Sequence, residues 1–240
     1  TMWTIFRREM AHYFTSPVSY LIAAAFFVLM GLYFNNDLTV SITTRAADPA
    51  SVPSFLSFVM VFFAPLLTMR LIAEENREGT VELLLTAPVS DTAIVIGKFL
   101  SAWAFYSLLL MGTLVYPAVL VSLQIFPDLG IAVSAYIGIW LYGGAALAVG
   151  VVFSAVTDSQ VTAAFLSMSF LLLMWLGDVA GNIVASFELA DLLRKLSLQG
   201  HYSTSFAVGL FRAEDVAYFA GMIVVSLFVT IRLLEMRRWR

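Results

Sequence analysis

The sequence predicts an all-α integral membrane protein with six transmembrane helices, and three observations predict it. Hydrophobic residues make up 61% of the 240 positions and charged residues only 12%, against about 45–50% and about 25% in ordinary soluble domains. A core of this size cannot hide so much apolar surface (mean hydropathy +0.92), so lipid must be part of the solvent. The apolar residues gather into six runs, and a helix of roughly 20 residues crosses a hydrocarbon core of about 30 Å. The runs are apolar all round, as in "AAFLSMSFLLLMWL" and "VSLFVTIRLL", whereas barrel strands alternate over about 10 positions. With a barrel excluded, only helices satisfy their own backbone in lipid.

Residues 1–16 come first. Trp3, Phe6, Met10, Tyr13 and Phe14 recur at helical spacing while Arg8, Glu9 and His12 face the other way, and Ile5 breaks the pattern. This predicts a short helix lying in the membrane interface with its arginines near lipid phosphates. The spans follow as Val18–Phe34, Pro53–Ile72, Phe99–Leu123, Ile131–Val156, Val161–Gly177 and Val216–Leu234. The first runs directly into Tyr33–Phe34–Asn35–Asn36 with no small-residue cleavage site, so it is expected to be retained rather than removed as a signal peptide. Between the last two spans, residues 178–215 form the largest external segment. There Ser186 can cap a helix carrying Leu189, Leu192, Leu193 and Leu196, and Gly200 can end it. The following "HYSTSFAVGLFRAED" is too polar to span and too apolar for open water, so it is expected at the outer interface or folded part-way back into the membrane. No fixed-period repeat or linker divides the chain, and residues 1–240 read as one domain.

Orientation follows from lysine and arginine. With both termini on one side, Arg7, Arg8, Arg70, Arg77, Lys98, Arg232, Arg237, Arg238 and Arg240 share it, against Arg45, Arg194, Lys195 and Arg212 opposite. Both termini are therefore expected in the cytoplasm, with the chain in the cytoplasmic (inner) membrane.

Much chemistry is excluded. The net charge of −3 and the scattered basic residues give no nucleic-acid surface. The chain has no cysteine, which rules out disulfide and thiolate chemistry. His12 and His201 are the only histidines and fall on opposite sides by this topology, so no metal site is expected. Gly97–Lys98 is followed by Phe99 and lacks a glycine five positions earlier, so it is not a phosphate loop. Asp178, Asp158, Arg70 and Lys98 all fall near span ends, where they can reach water. The absence of midplane charges speaks against an ion-coupled carrier or passive channel. Tyr20, Tyr106, Tyr116, Tyr142, Ser167 and Ser169 read as packing and hydrogen-bonding groups, and no substrate residue is assigned. The chain is expected to be no enzyme.

One stretch departs from all this. In "EENREGTVELLLTAPVS", residues 74–90, Glu74, Glu75, Arg77, Glu78 and Glu82 concentrate charge between two apolar runs. A polar continuation of the second span, 73–78, is expected to project from the membrane and to break at Gly79. Thr80 can cap a new two-turn helix, with Glu82 in its first turn and Val81, Leu84 and Leu85 on one face. Pro88 stops it, and Ser90 or Asp91 starts the helix that leads through Lys98 into the third span. An acidic rim around apolar anchors suits a protein groove better than a negatively charged leaflet.

The same stretch, "EENREGTVELLLTAPVSDTAIVIGKFL", resembles the signature of the ABC-2 family of ABC-transporter membrane subunits. The pattern E-x-R-x-G-T-x-E-x-L, then P-V, then G-K, falls on Glu75, Arg77, Gly79, Thr80, Glu82, Leu84, Pro88, Val89, Gly97 and Lys98. "YFTSPVSYL", "SAVTDSQVTAAF" and "RAEDVAYF" are similar to the gliding-motility-type (GldF-like) branch. The resemblance implies an ABC-2 permease fold, with an N-terminal interfacial helix and an external re-entrant segment. It also implies that residues 74–98 form a cytoplasmic coupling region docking on a separate ABC ATPase. Glu75, Arg77, Glu78, Gly79, Thr80, Val81, Glu82, Leu84, Leu85 and Pro88 are then the ATPase-coupling residues. ATP and Mg would be bound by the partner ATPase, with no cofactor in this chain. A second permease subunit, identical or related, would complete the path. The other reading is a non-transporting membrane scaffold that recruits an ATPase to an envelope or motility machine.

Overall fold

The computed structural model describes residues 1–80, 89–183 and 187–238. Six of its helical stretches are long and apolar enough to cross a membrane: Pro17–Thr44, Ser51–Glu78, Asp91–Ser122, Leu129–Val156, Gln160–Gly181 and Ala213–Met236. Each overlaps one of the runs read from the sequence. We label the helices α1 (Met2–Thr15), α2 (Pro17–Thr44), α3 (Ser51–Thr68), α4 (Ala73–Glu78), α5 (Asp91–Gly112) and α6 (Val115–Ser122). They continue as α7 (Leu129–Val156), α8 (Gln160–Ile183), α9 (Phe187–Leu196), α10 (Leu198–Ser203) and α11 (Ala213–Arg238), with a short 3₁₀ turn at Phe206–Val208 before the last.

The spans form two layers, set by side-chain size. In the fourth and second spans 72% and 67% of the apolar window is buried, against 17–33% in the other four. Helix α7 is central because it is thin. Small residues such as Gly143, Ala145, Ala146 and Gly150 let α3, α5, α8 and α11 pack closely against it, since packing rather than hydrophobicity drives helix association in lipid. The outer helices leave side chains such as Leu21, Leu32, Phe165 and Val224 exposed on the outside of the bundle.

Three elements differ from the reading of the sequence. The first span runs ten residues past Phe34 to Thr44. Thr39, Thr43 and Thr44 there donate their hydroxyls to carbonyls of the preceding turn, which satisfies polar side chains without breaking the helix, and Arg45 ends it in the left-handed conformation. The third span is two helices. Pro117 has no N–H to offer the Thr113 carbonyl, which instead accepts from Tyr116 N and, at 3.2 Å, from the Tyr136 hydroxyl of α7. In the external segment Gly200 does not end the leucine-bearing helix. That helix stops at Leu196, and Ser197 caps a second one by accepting from Gly200 N at 3.1 Å. The proposed cap at Ser186 lies outside the described residues. Leu189, Leu192 and Leu196 face outward, each about half exposed. Helix α9 packs back on α8 through its small side, Ala190, against Gly181.

The stretch after Leu196 turns into the bundle. Tyr202 and Phe206 are fully buried, and Phe206 sits on Gly138, about 13 Å along α7 from its start at roughly 1.5 Å per residue. His201 holds this segment to the last span. Its Nδ1 lies 2.6 Å from Asp215 Oδ1 and its Nε2 2.9 Å from the Lys195 carbonyl, and its ring stacks on Tyr218.

Candidate functional site

At the other end of the bundle the charged stretch emerges. Helix α3 ends at Thr68, because Pro65 in its last turn and a turn over residues 69–72 redirect the chain before α4. Ending a helix inside a packed bundle leaves carbonyls without partners, and side chains from other elements meet them. Tyr13 of α1 donates its hydroxyl to the Leu67 carbonyl at 2.6 Å. Ser154 of α7 donates to the Met69 carbonyl at 3.0 Å while accepting from Ile72 N and Ala73 N at 3.0 and 3.1 Å. Lys98 of α5 donates to the Leu71 carbonyl at 2.6 Å.

Lys98 is the centre of the site. Only 2% of its side chain is exposed, and Nζ also donates to Glu9 Oε1 at 3.0 Å and Glu75 Oε1 at 2.8 Å. An ammonium has three N–H donors, and all three are used. Arg8 Nη2 meets the same two carboxylate oxygens, Glu9 at 2.9 Å and Glu75 at 3.0 Å. Lys98, Glu9, Arg8 and Glu75 thus form a closed ring of alternating charge that sums to zero, and a buried ion pair is tolerable only on such terms. Burial works against the Glu9 carboxylate, but Lys98 and Arg8 outweigh it and hold its carboxyl below the ordinary carboxylate range. Arg8 moves the opposite way: partial burial works against its guanidinium, but hydrogen bonds and attraction to Glu9 and Glu75 outweigh it and hold its pKa above the ordinary value.

Nearby, Arg70 hydrogen-bonds Ser16 and Ser19 at 3.0 and 3.2 Å and lies over the Tyr13 ring, which ties the start of α2 to the end of α3. Asn76 Nδ2 donates to the Thr157 carbonyl between the fourth and fifth spans at 3.3 Å. The four residues of the ring and Arg70 border a cleft of about 500 Å³ whose rim includes His12, Glu74, Glu78 and Thr80.

Of the ten residues read from the sequence, five fall outside the described residues: Val81, Glu82, Leu84, Leu85 and Pro88. The capping role expected of Thr80 concerns that same stretch. The other five lie on one short elbow. Glu75 turns inward to the ring, while Arg77 and Glu78 are exposed and make no ion pair among the described residues. Gly79 stands at φ 69°, with Gly79 N to Asn76 O at 3.4 Å and Thr80 N to Glu75 O at 3.0 Å. This pair of bonds closes a Schellman turn, which favours glycine at its left-handed position. Ser90, as expected, caps the next helix, accepting from Ala93 N.

The sequence reading missed the other half of the site. Lys98 does not reach for water, and Arg8 points at carboxylates rather than at lipid phosphate. Helix α1 is more than an interfacial helix, because its pattern-breaking Ile5 is a packing residue. A Cβ on Gly97 would stand 3.0 Å from the Met2 carbonyl and 3.1 Å from Ile5. Gly97 lets α1 approach, and Lys98 then captures Glu9 from it. The signal was present in the Ile5 exception and in a lysine immediately before an apolar run, but that lysine's partner Glu9 lies 89 positions away.

No curated protein matches the chain. A family model described as "ABC-2 family transporter protein" matches residues 3–238. With six membrane-crossing helices, a braced charged elbow after the second of them and that match over nearly its whole length, the chain belongs to the ABC-2 family of transporter proteins.

Proposed function

We propose that this chain is the permease subunit of an ATP-driven ABC transporter, and that residues 74–98 are the coupling region on which a separate ATPase docks. The observation that carries this reading is the closed Lys98–Glu9–Arg8–Glu75 ring beneath a solvent-projecting elbow. A loop whose only task is to connect two spans does not need a buried cation, a serine and a tyrosine from three helices to hold its base. A handle that must transmit force does, since a fully satisfied polar network in a low dielectric has little slack. Displacement of the elbow would be passed from Glu75 to α1 through Arg8 and to α5 through Lys98, and to α7 through Ser154. Two such subunits, identical or paired with a related chain, would line a path at their interface. The ATP and Mg would sit on the partner ATPases, whose closure would push on Val81, Leu84 and Leu85. Glu78 and Glu82 would face basic groups on the ATPase and Arg77 acidic ones. The lysine and arginine distribution supports cytoplasmic termini and a cytoplasmic elbow. The pieces quoted above favour the GldF-like branch, and the weakly polar spans, uncharged at their middles, favour an amphiphile or polymer over a bare ion.

Apolar anchors carry most of the energy of such docking. Leu84→Asp is therefore expected to abolish stimulation of the partner ATPase while leaving the subunit inserted, and unchanged stimulation would refute the docking role. Reconstituted vesicles separate this reading from the scaffold reading: a permease moves solute on ATP addition, and a scaffold binds the ATPase without doing so.

A further inference from the structure

Along the outside of the bundle an apolar groove runs from beneath α1 down the seam between α5 and α7. Its first part, of about 550 Å³, lies between Trp3, Phe6 and Met10 on one side and Leu100, Trp103 and Leu108 on the other. Trp140 borders this part and the next, of about 220 Å³, which continues past Met111 and Leu114. The wall offers few polar atoms, and the indoles of Trp103 and Trp140 and the Ser107 hydroxyl are already occupied. Trp140 Nε1 donates to Ser107 Oγ at 2.8 Å, Ser107 Oγ to the Trp103 carbonyl at 2.7 Å, and Trp103 Nε1 to the Trp140 carbonyl at 3.2 Å. The two indoles stack at 4.4 Å. A peptide laid here would bury backbone polar groups without partners, whereas a hydrocarbon chain has none to bury. From Leu100 to Met111 the groove runs about 16 Å at roughly 1.5 Å per residue, the hydrocarbon depth of one leaflet of a core of about 30 Å.

Helical spacing sets a charge beside the residues of α1 that line the groove. Arg7 follows Phe6 and stands one helical turn from both Trp3 and Met10. It is exposed and forms no ion pair among the described residues, in contrast to Arg8, which the ring consumes. An exposed arginine on an interfacial helix above a hydrocarbon-lined slot is the arrangement an anionic lipid recognises. We propose that this groove is a binding site for one bilayer phospholipid with an anionic headgroup, its acyl chain along Trp103, Trp140 and Met111 and its phosphate on Arg7. The proposal stands on membrane insertion alone and does not require the ATPase reading.

Native mass spectrometry of the full-length protein tests it, with phosphatidylglycerol and phosphatidylcholine of equal chain length as probes. Wild type is expected to retain one phosphatidylglycerol with about a fivefold preference, the effect of a single basic residue at a membrane surface. Arg7→Gln, an exposed and conservative change, is expected to bring that preference close to unity. Ala104→Trp fills the slot and is expected to remove the retained molecule of either kind. Should Ala104→Trp fail to fold, Arg7→Gln still decides. Retention and preference unchanged in Arg7→Gln overturn the proposal. A second copy of this chain on the same face is read separately: the sequence has no cysteine, so Leu108→Cys provides a single reporter. Disulfide-linked dimer formed in native membranes overturns the lipid assignment, and monomer supports it.

Discussion

Lys98→Met isolates the ring from everything around it. Methionine keeps the aliphatic stem that fills the space between α1 and α5, and loses only the ammonium. Three acceptors then lose their donor: the Leu71 carbonyl, Glu9 and Glu75. The two carboxylates, with side chains only 12% and 18% exposed, are left to share Arg8. Removing one partner of a buried pair costs about 3–5 kcal/mol. Arg8 is 54% exposed and remains to screen the pair, which places the loss near the lower bound, about 3 kcal/mol. At about 2–4 °C per kcal/mol for a chain of this size, the unfolding midpoint of the detergent-purified protein is expected to fall by about 6–12 °C. The charge argument makes a second demand. In the Lys98→Met background, Glu75→Gln removes the excess negative charge, so the double variant is expected to recover at least about half of the loss. A midpoint within about 2 °C of wild type, or a double variant as unstable as the sum of the two single changes, refutes the reasoning.

Two further outcomes follow from the same base. Ser154→Ala leaves two N–H groups and one carbonyl at the end of α3 without their side-chain partner, which costs about 1–3 kcal/mol. Hydrogen exchange over residues 69–76 is expected to accelerate while α9 and α10 are unaffected. The Glu9 carboxyl titrates below its ordinary value of 4.5 in the folded protein. Its contribution is therefore complete above that value and is lost as pH falls through the lower folded one. The stability gap between wild type and Glu9→Gln is expected to be constant near neutrality and to close on acidification, and a gap that widens instead contradicts the assignment.

The spans were legible because their cause is local. A run of apolar side chains enters lipid wherever it occurs, and a helix is the structure that then satisfies its backbone. The elbow was legible for a similar reason, since Gly79 and Ser90 act within a few residues of themselves. The break at Thr113–Leu114 was not, although Pro117 stood in plain view. A proline in a membrane helix breaks it or only bends it according to who takes the freed carbonyl, and here Tyr136 of another helix does. The facing of the α9 leucines could not be read from their spacing: a stripe that would line a core in water stays on the outside of the bundle here.

What the sequence by itself determined is the medium, the number of crossings and the place where the chain leaves the membrane with charge, because each follows from composition within about 20 residues. What the tertiary structure alone decided is how that charged exit is held. Lys98 and Glu9 are separated by two entire spans, and no periodicity relates them. Their meeting depends on Gly97 letting α1 lie close enough for an ammonium to find three acceptors. A buried cation is stable only where every donor is met, a condition set by distance in space rather than along the chain.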